Sequence, residues 1–259
     1  MSQGPLSLHD FLAAHPADPS IVPPLVHITE GTNLAGILEK GFLDPEHSTL
    51  AGNDKATYLF VGKPAYLLKP KSHSDFYDAP VVFVFSKSTF SNIDAMFPMD
   101  SGAFSSNRYD NLLGGITRED MQVDATASSA AAIIEAFFGG MDNYMRSLAR
   151  TPDEMRTLLN VLPIGFRILA LAAVYSATRT ETLDDRKSTI EVSTRNPFPL
   201  NQSMLCGIVL PEEWLSDTNI RNSLQKLNCQ IESYELWPIN RTHYQSELYR
   251  LCRRITRNM

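Results

Sequence analysis

The strand-like apolar runs of this chain are short and irregularly spaced, and that constrains its fold more than anything else in the sequence. Six runs read as strands: Leu25 to Ile28, Tyr58 to Val61, Val81 to Phe85, Ser188 to Ser193, Leu205 to Leu210 and Cys229 to Leu236. Val81 to Phe85 is the strongest, an unbroken apolar run behind Pro80 of the kind a fully buried strand carries. A doubly wound sheet needs strands alternating with helices of regular length, and that alternation is missing here. No internal repeat and no linker interrupts the 259 residues, so the pattern predicts a single α+β domain spanning 1–259.

The helices announce themselves by caps and period. Leu6 to Leu12 reads as a short helix, followed by an extended stretch containing Pro16, Pro19, Pro23 and Pro24. Thr32 is the expected cap of a helix with Leu34, Ile37 and Leu38 on its apolar face and Gly41 as its left-handed stop. Alanine-rich 125–138 predicts a helix broken at Gly139-Gly140, and Thr151-Pro152-Asp153-Glu154 is a strong helix start. Asp217 opens a further helix. Thr242, with Gln245 three residues on, is expected to cap the last one. Residues 86–122 show no long period, so 86–180 reads as a helical and irregular insertion in which short elements are easily missed.

Composition narrows the function classes. A net charge of −6 argues against indiscriminate binding of long polyanions, which depends on many Lys and Arg contacts. Arg250, Arg253, Arg254 and Arg257 make the last helix basic; a solvated face near the negative helix end is the expectation, and a nucleic-acid contact the alternative. Cys206, Cys229 and Cys252 are too few and too widely spaced for a disulfide framework or a zinc site. The apolar stretch Val161 to Ala177 contains Pro163, Gly165 and Arg167 and falls short of the ~20 residues of a membrane helix, which predicts a core helix. The N-terminus lacks a basic flank followed by an apolar run, so a cytoplasmic protein without a membrane partner is expected. There is no G-x-G-x-x-G behind a strand, no P-loop, no H-E-x-x-H and no G-x-S-x-G, so no Rossmann site, phosphate loop, catalytic metal or serine elbow is expected.

Three segments remain as carriers of chemistry. Leu25-Val26-His27-Ile28-Thr29 places a histidine on a strand ahead of the Asn33-Leu34 helix start. Thr57 to Tyr66 combines aromatics, Gly62 and Lys63 at a strand end. Asp184-Asp185-Arg186-Lys187-Ser188-Thr189-Ile190-Glu191-Val192 puts an acid inside a strand-like run. Taken singly, His27 reads as a core histidine, the aromatics as core, and Glu191 as an outward-pointing strand residue. Asp100-Ser101-Gly102 reads as a plain turn, with a site lining as the alternative.

Together the segments resemble the ADP-ribosyltransferase superfamily, and within it the DarT-like enzymes that modify DNA. The run His27-Ile28-Thr29, Asn33-Leu34, Ile37-Leu38 and Gly41 is similar to that family's first motif, and Tyr58 to Tyr66 and Arg186 to Glu191 to its second and third. The likeness spans about 25–66 and 184–210. It implies a split mixed β-sheet core with inserted helices, NAD as co-substrate, no metal, and a macromolecular acceptor, nucleic acid (RNA or DNA) ahead of protein or water. It also implies a bacterial toxin or anti-phage role with an antitoxin or immunity partner. By the same resemblance Glu191 stabilises the cationic ribose, and His27 binds a ribose hydroxyl. Tyr58, Phe60 or Tyr66 stacks on nicotinamide, Lys63 faces the pyrophosphate or the acceptor, and Thr29, Arg186 and Ser188 complete the cofactor site. Where the family pattern has Arg this chain has Lys63, which keeps the charge and lacks the planar fork.

Overall fold

A computed structural model describes residues 6–47, 55–65, 76–106, 108–162, 165–177, 185–236 and 241–257. Its strands are β1 (Leu25–Glu30), β2 (Phe42–Leu43), β3 (Glu46–His47), β4 (Lys55–Val61), β5 (Pro80–Phe85), β6 (Ala95–Phe97), β7 (Glu191–Thr194), β8 (Phe198–Pro199), β9 (Leu205–Pro211) and β10 (Gln230–Tyr234). The main sheet runs β10-β9-β5-β1-β4-β7-β6, with β3 added to β4, while β2 and β8 pair separately. Among the described residues only β9 and β10 run parallel; the other pairings are antiparallel. The fold is therefore mixed α/β around one large mixed sheet.

Both faces of the sheet are covered, which explains the unbroken apolar run of β5. Val81, Phe83 and Phe85 enter the larger core, with the helices Leu8–Ala14, Ala127–Ile133 and Phe166–Ser176. Val82 and Val84 face the other way, into a smaller core with Leu248, Leu251, Cys252 and Ile255 of the C-terminal helix Arg241–Arg257. The stretch expected as a core helix is one: Phe166–Ser176 buries Ile168, Leu169, Leu171, Ala172, Val174 and Tyr175. Among the described residues no helix is long and apolar enough to cross a membrane.

Local expectations fare unevenly. The alanine-rich helix stops at Gly139 in the left-handed region, Thr151 and Glu154 form a reciprocal capping box, and Asp217 caps Thr218–Leu227. Thr32, however, lies inside a 3-10 turn, and the helix Leu34–Lys40 starts behind Asn33, whose amide donates to Thr29 Oγ1 at 2.8 Å instead of capping. Thr242 lies inside the last helix, which already runs from Arg241, and Gln245 turns inward to the Pro64 carbonyl. Burial of that amide outweighs the capping pattern. The irregular middle contains β6, which forms the sheet edge beside β7, so 86–180 is partly core sheet.

The main sheet parts between β1 and β4. β1 pairs with β5 along Leu25–Glu30 but with β4 only at Leu25↔Val61 and Val26↔Phe60. β4 meanwhile pairs with β7 from Thr57 to Phe60. Gly62 makes the turn that follows. Its φ is +73°, its N–H donates to the Pro24 carbonyl at 2.7 Å, and an added Cβ would stand 2.6 Å from Pro23 Cγ and 2.9 Å from Met145 Sδ. Gly62→Ala combines backbone strain with overpacking, and urea unfolding is expected to show a loss of roughly 2–4 kcal/mol.

Candidate functional site

Where the sheet parts, backbone groups lose their ladder partners and side chains replace them. His27 is the first residue beyond the last β1–β4 pair, and its Nδ1 lies 2.8 Å from the Tyr58 carbonyl across the opening. A carbonyl only accepts, so Nδ1 carries the proton and the neutral ring presents Nε2 as an acceptor. Burial lowers the His27 pKa, with the bond to Tyr58 opposing, so the neutral form prevails at neutral pH. An open depression of about 220 Å³ adjoins the ring, lined by Asn33, Gly36, Ile37, Lys40 and Asp44 among others.

Glu191 opens β7. It stands opposite Phe60 on one side and Phe97 on the other, and Phe60 is itself the partner of Val26. This row across the sheet ends at the vertex of the opening, so His27 and Glu191 flank β4 from neighbouring strands. Glu191 is 4% exposed, and its Oε1 accepts a hydrogen bond from Ser101 Oγ at 2.6 Å. Asp100 is also buried; its N–H donates to the Arg186 carbonyl at 3.1 Å, and its Oδ2 lies 3.8 Å from Arg186 Nη1. Burial, and then the Asp100 charge, push the Glu191 pKa up to about 8; Ser101 and the Arg118 charge pull the other way.

Lys63 corrects the expectation of a cation facing pyrophosphate or acceptor. Its side chain has no exposed surface, and Nζ donates to the Tyr144 carbonyl at 2.9 Å, Ser147 Oγ at 3.0 Å and the Ser188 carbonyl at 3.1 Å. The ammonium also lies 4.4 Å from the Tyr144 ring centre. All three protons have acceptors, so the charge is structural. The Tyr144 hydroxyl donates to the Val61 carbonyl at 2.7 Å and accepts from Ile190 N–H at 3.2 Å, one residue ahead of Glu191.

The other expected site residues divide. Tyr58 keeps a partly exposed ring, whereas Phe60 is committed to the smaller core, which corrects its nicotinamide-stacking role. Ser188 is fully buried and its hydroxyl donates to the Asp185 carbonyl at 3.3 Å, so its cofactor-binding role is corrected too. Thr29 is buried with its hydroxyl on Asn33, Arg186 stands beside Asp100, and Tyr66 and Asp184 lie outside the described residues. Asp100, Ser101, Phe97 and Arg118 join the site from the irregular middle. Asp100-Ser101-Gly102, expected as a plain turn with a site lining as the alternative, is the start of the helix Ser101–Ser105 with Asp100 as its N-cap; Phe97 and Arg118 left no local signal. The C-terminal arginines line an open groove of about 490 Å³, but Arg250 pairs with Glu247 and Arg254 with Glu232, which fits a solvated charged face.

A comparison with models of known protein families finds no match, and neither does a comparison with curated proteins. Among the described residues no group of three or more His, Cys, Asp or Glu is placed to hold a metal ion.

Two outcomes follow from these contacts. Lys63→Met leaves buried carbonyls without a donor and is expected to lower stability by about 3–5 kcal/mol in urea melts. Between the ordinary 4.5 and about 8, the unfolded chain has lost the Glu191 proton while the folded protein keeps it, so rising pH withdraws stability. Glu191→Gln has no such proton. The wild-type minus variant difference in unfolding free energy should fall through that window and flatten above it.

Proposed function

We propose that the chain is a cytoplasmic NAD-dependent ADP-ribosyltransferase acting on a macromolecular acceptor, with nucleic acid favoured over protein. The observation that carries this reading is the vertex of the parted sheet, where His27, Tyr58 and Glu191 sit on three neighbouring strands. The pleat sends the His27 and Glu191 side chains to alternate faces, so a ligand that meets both has to pass the sheet at the opening beyond Val26. The free Nε2 acceptor suits a ribose hydroxyl, and the partly exposed Tyr58 ring suits a flat cationic nicotinamide.

In the reaction the bond between nicotinamide nitrogen and ribose C1″ breaks, and its electron pair leaves with nicotinamide. An acceptor lone pair forms the new bond to C1″ and the acceptor proton is released. Positive charge builds on the ribose in between, and a Glu191 carboxylate at a ribose hydroxyl stabilises it. The nicotinamide cation itself favours the ionised carboxyl, so NAD binding releases the proton that the empty site retains.

The nucleic-acid acceptor, the toxin or anti-phage role and the antitoxin or immunity partner come only from the combined resemblance of the three segments. A second reading, an NAD-binding module without catalysis, is favoured by the proton on Glu191, since a neutral carboxyl does not stabilise a cation.

NAD consumption by wild type and Glu191→Gln, with RNA, DNA and protein offered in turn, separates these readings. Wild type is expected to consume NAD and make one acceptor heavier; the variant should be slower by ~10²–10³, or ~3–4 kcal/mol of barrier. Labelled water products without a labelled acceptor mean a glycohydrolase. Equal rates in the two proteins remove Glu191 from the chemistry, and bound but intact NAD leaves the binding module.

A further inference from the structure

With Lys63 buried, the cation beside Glu191 that remains open to a ligand is on the irregular middle of the chain. Arg118 begins the helix Arg118–Met121, behind the capping box of Thr117 and Asp120. Its guanidinium lies over the Phe97 ring, 4.8 Å from the centre, and Phe97 is the register partner of Glu191. It is close enough for its charge to act on the Glu191 carboxyl. Stacking on a ring fixes the plane of a guanidinium without using its N–H groups.

Those N–H groups are unspent. Arg150 donates to two helix carbonyls, Arg167 pairs with Asp120, and Arg186 stands by Asp100. Among the described residues the Arg118 guanidinium makes no hydrogen bond and no ion pair; its backbone carbonyl is engaged, by Gln122 N–H at 3.1 Å. Of the two acids on its own helix, Glu119 makes no ion pair with it and Asp120 is held by Arg167 and by the Thr117 N–H. A partly exposed arginine whose guanidinium is oriented by a ring and lacks acceptors, at the edge of a buried carboxyl site, is pre-formed for a planar, two-pronged anion contact.

We infer that Arg118 is the phosphate-binding arm of the Glu191 site and grips a phosphate ester of the bound substrate through its planar fork. The inference rests on the transferase reading for what the substrate is, and on the geometry alone for the anion. Two sources share this chemistry: the pyrophosphate of the dinucleotide and the phosphodiester of a nucleic-acid acceptor. An arginine here supplies the fork that Lys63 lacks.

The test is calorimetric binding by the full chain of NAD, ADP-ribose and a short single-stranded DNA and RNA, using wild type, Arg118→Met and Arg118→Lys. Arg118→Met is expected to weaken one probe class by about tenfold or more, with Arg118→Lys between, because charge returns without the fork. Loss in the NAD and ADP-ribose arm identifies the pyrophosphate; loss in the oligonucleotide arm identifies the acceptor phosphodiester. The unfolding midpoint of Arg118→Met should stay close to that of wild type, since the contact with the Phe97 ring is the only one of its guanidinium removed, and Arg118→Lys preserves the comparison if the Met variant fails to fold. Unchanged affinity in both arms overturns the inference, as does wild type binding neither class. If wild type binds through Arg118 yet leaves NAD intact with every acceptor, the transfer reading falls and the Arg118 assignment stands.

Discussion

The ammonium of Lys63 sits without exposed surface among oxygens from Tyr144, Ser147 and Ser188, which belong to two distant parts of the chain. An ammonium in such a place is costly unless each proton finds an acceptor, so the three contacts are obligatory once the side chain is buried. They tie the end of β4 to the helical middle and to the turn that leads into β7. Tyr144 extends the tie by bridging Val61 and Ile190, beside the direct bond from Val61 N–H to the Ile190 carbonyl at 2.9 Å. The start of β7 is thereby fixed on both sides, and Glu191 follows it.

That fixation gives the candidate site its electrostatic character. A carboxyl at the vertex of a parted sheet, opposite two phenylalanines and beneath Ser101, has little solvent to stabilise its charge. A second buried carboxyl, Asp100, adds repulsion, and the proton is retained. On the other side of β4, burial works on His27 in the opposite chemical sense and keeps the imidazole neutral. The two groups are thus set by one cause, desolvation, into an acid that keeps its proton and a base that offers a lone pair.

The segment 86–180 is less an appendage than the second half of the site. It supplies β6 to the sheet edge, Ser101 to the Glu191 carboxyl, Tyr144 to the Lys63 clasp and Arg118 to the Phe97 ring. A chain this irregular between strands serves to bring polar groups from many sequence positions to one place, which regular helices of fixed period do less readily. The contacts differ in kind: the Lys63 protons are all spent on acceptors, whereas the Arg118 guanidinium rests on a ring with its N–H groups unspent.

The sequence by itself determined the elements with strong local physics. The buried run of β5, the Gly139 stop, the Thr151 capping box, the Asp217 cap and the apolar helix Phe166–Ser176 follow from period, caps and hydrophobicity within a few residues. His27, Tyr58 and Glu191 are candidates only through the combined resemblance of three segments, since each by itself reads as an ordinary core or surface residue. Tertiary structure alone decided the parting of β1 from β4, the three-residue β6, and the fates of Lys63, Phe60 and Ser188. A lysine, a phenylalanine or a serine carries no local mark of what will cover it. Whether its charge, ring or hydroxyl meets solvent or another part of the chain depends on contacts across as many as 125 positions, as between Lys63 and Ser188. Local propensity has no term for contacts at that range.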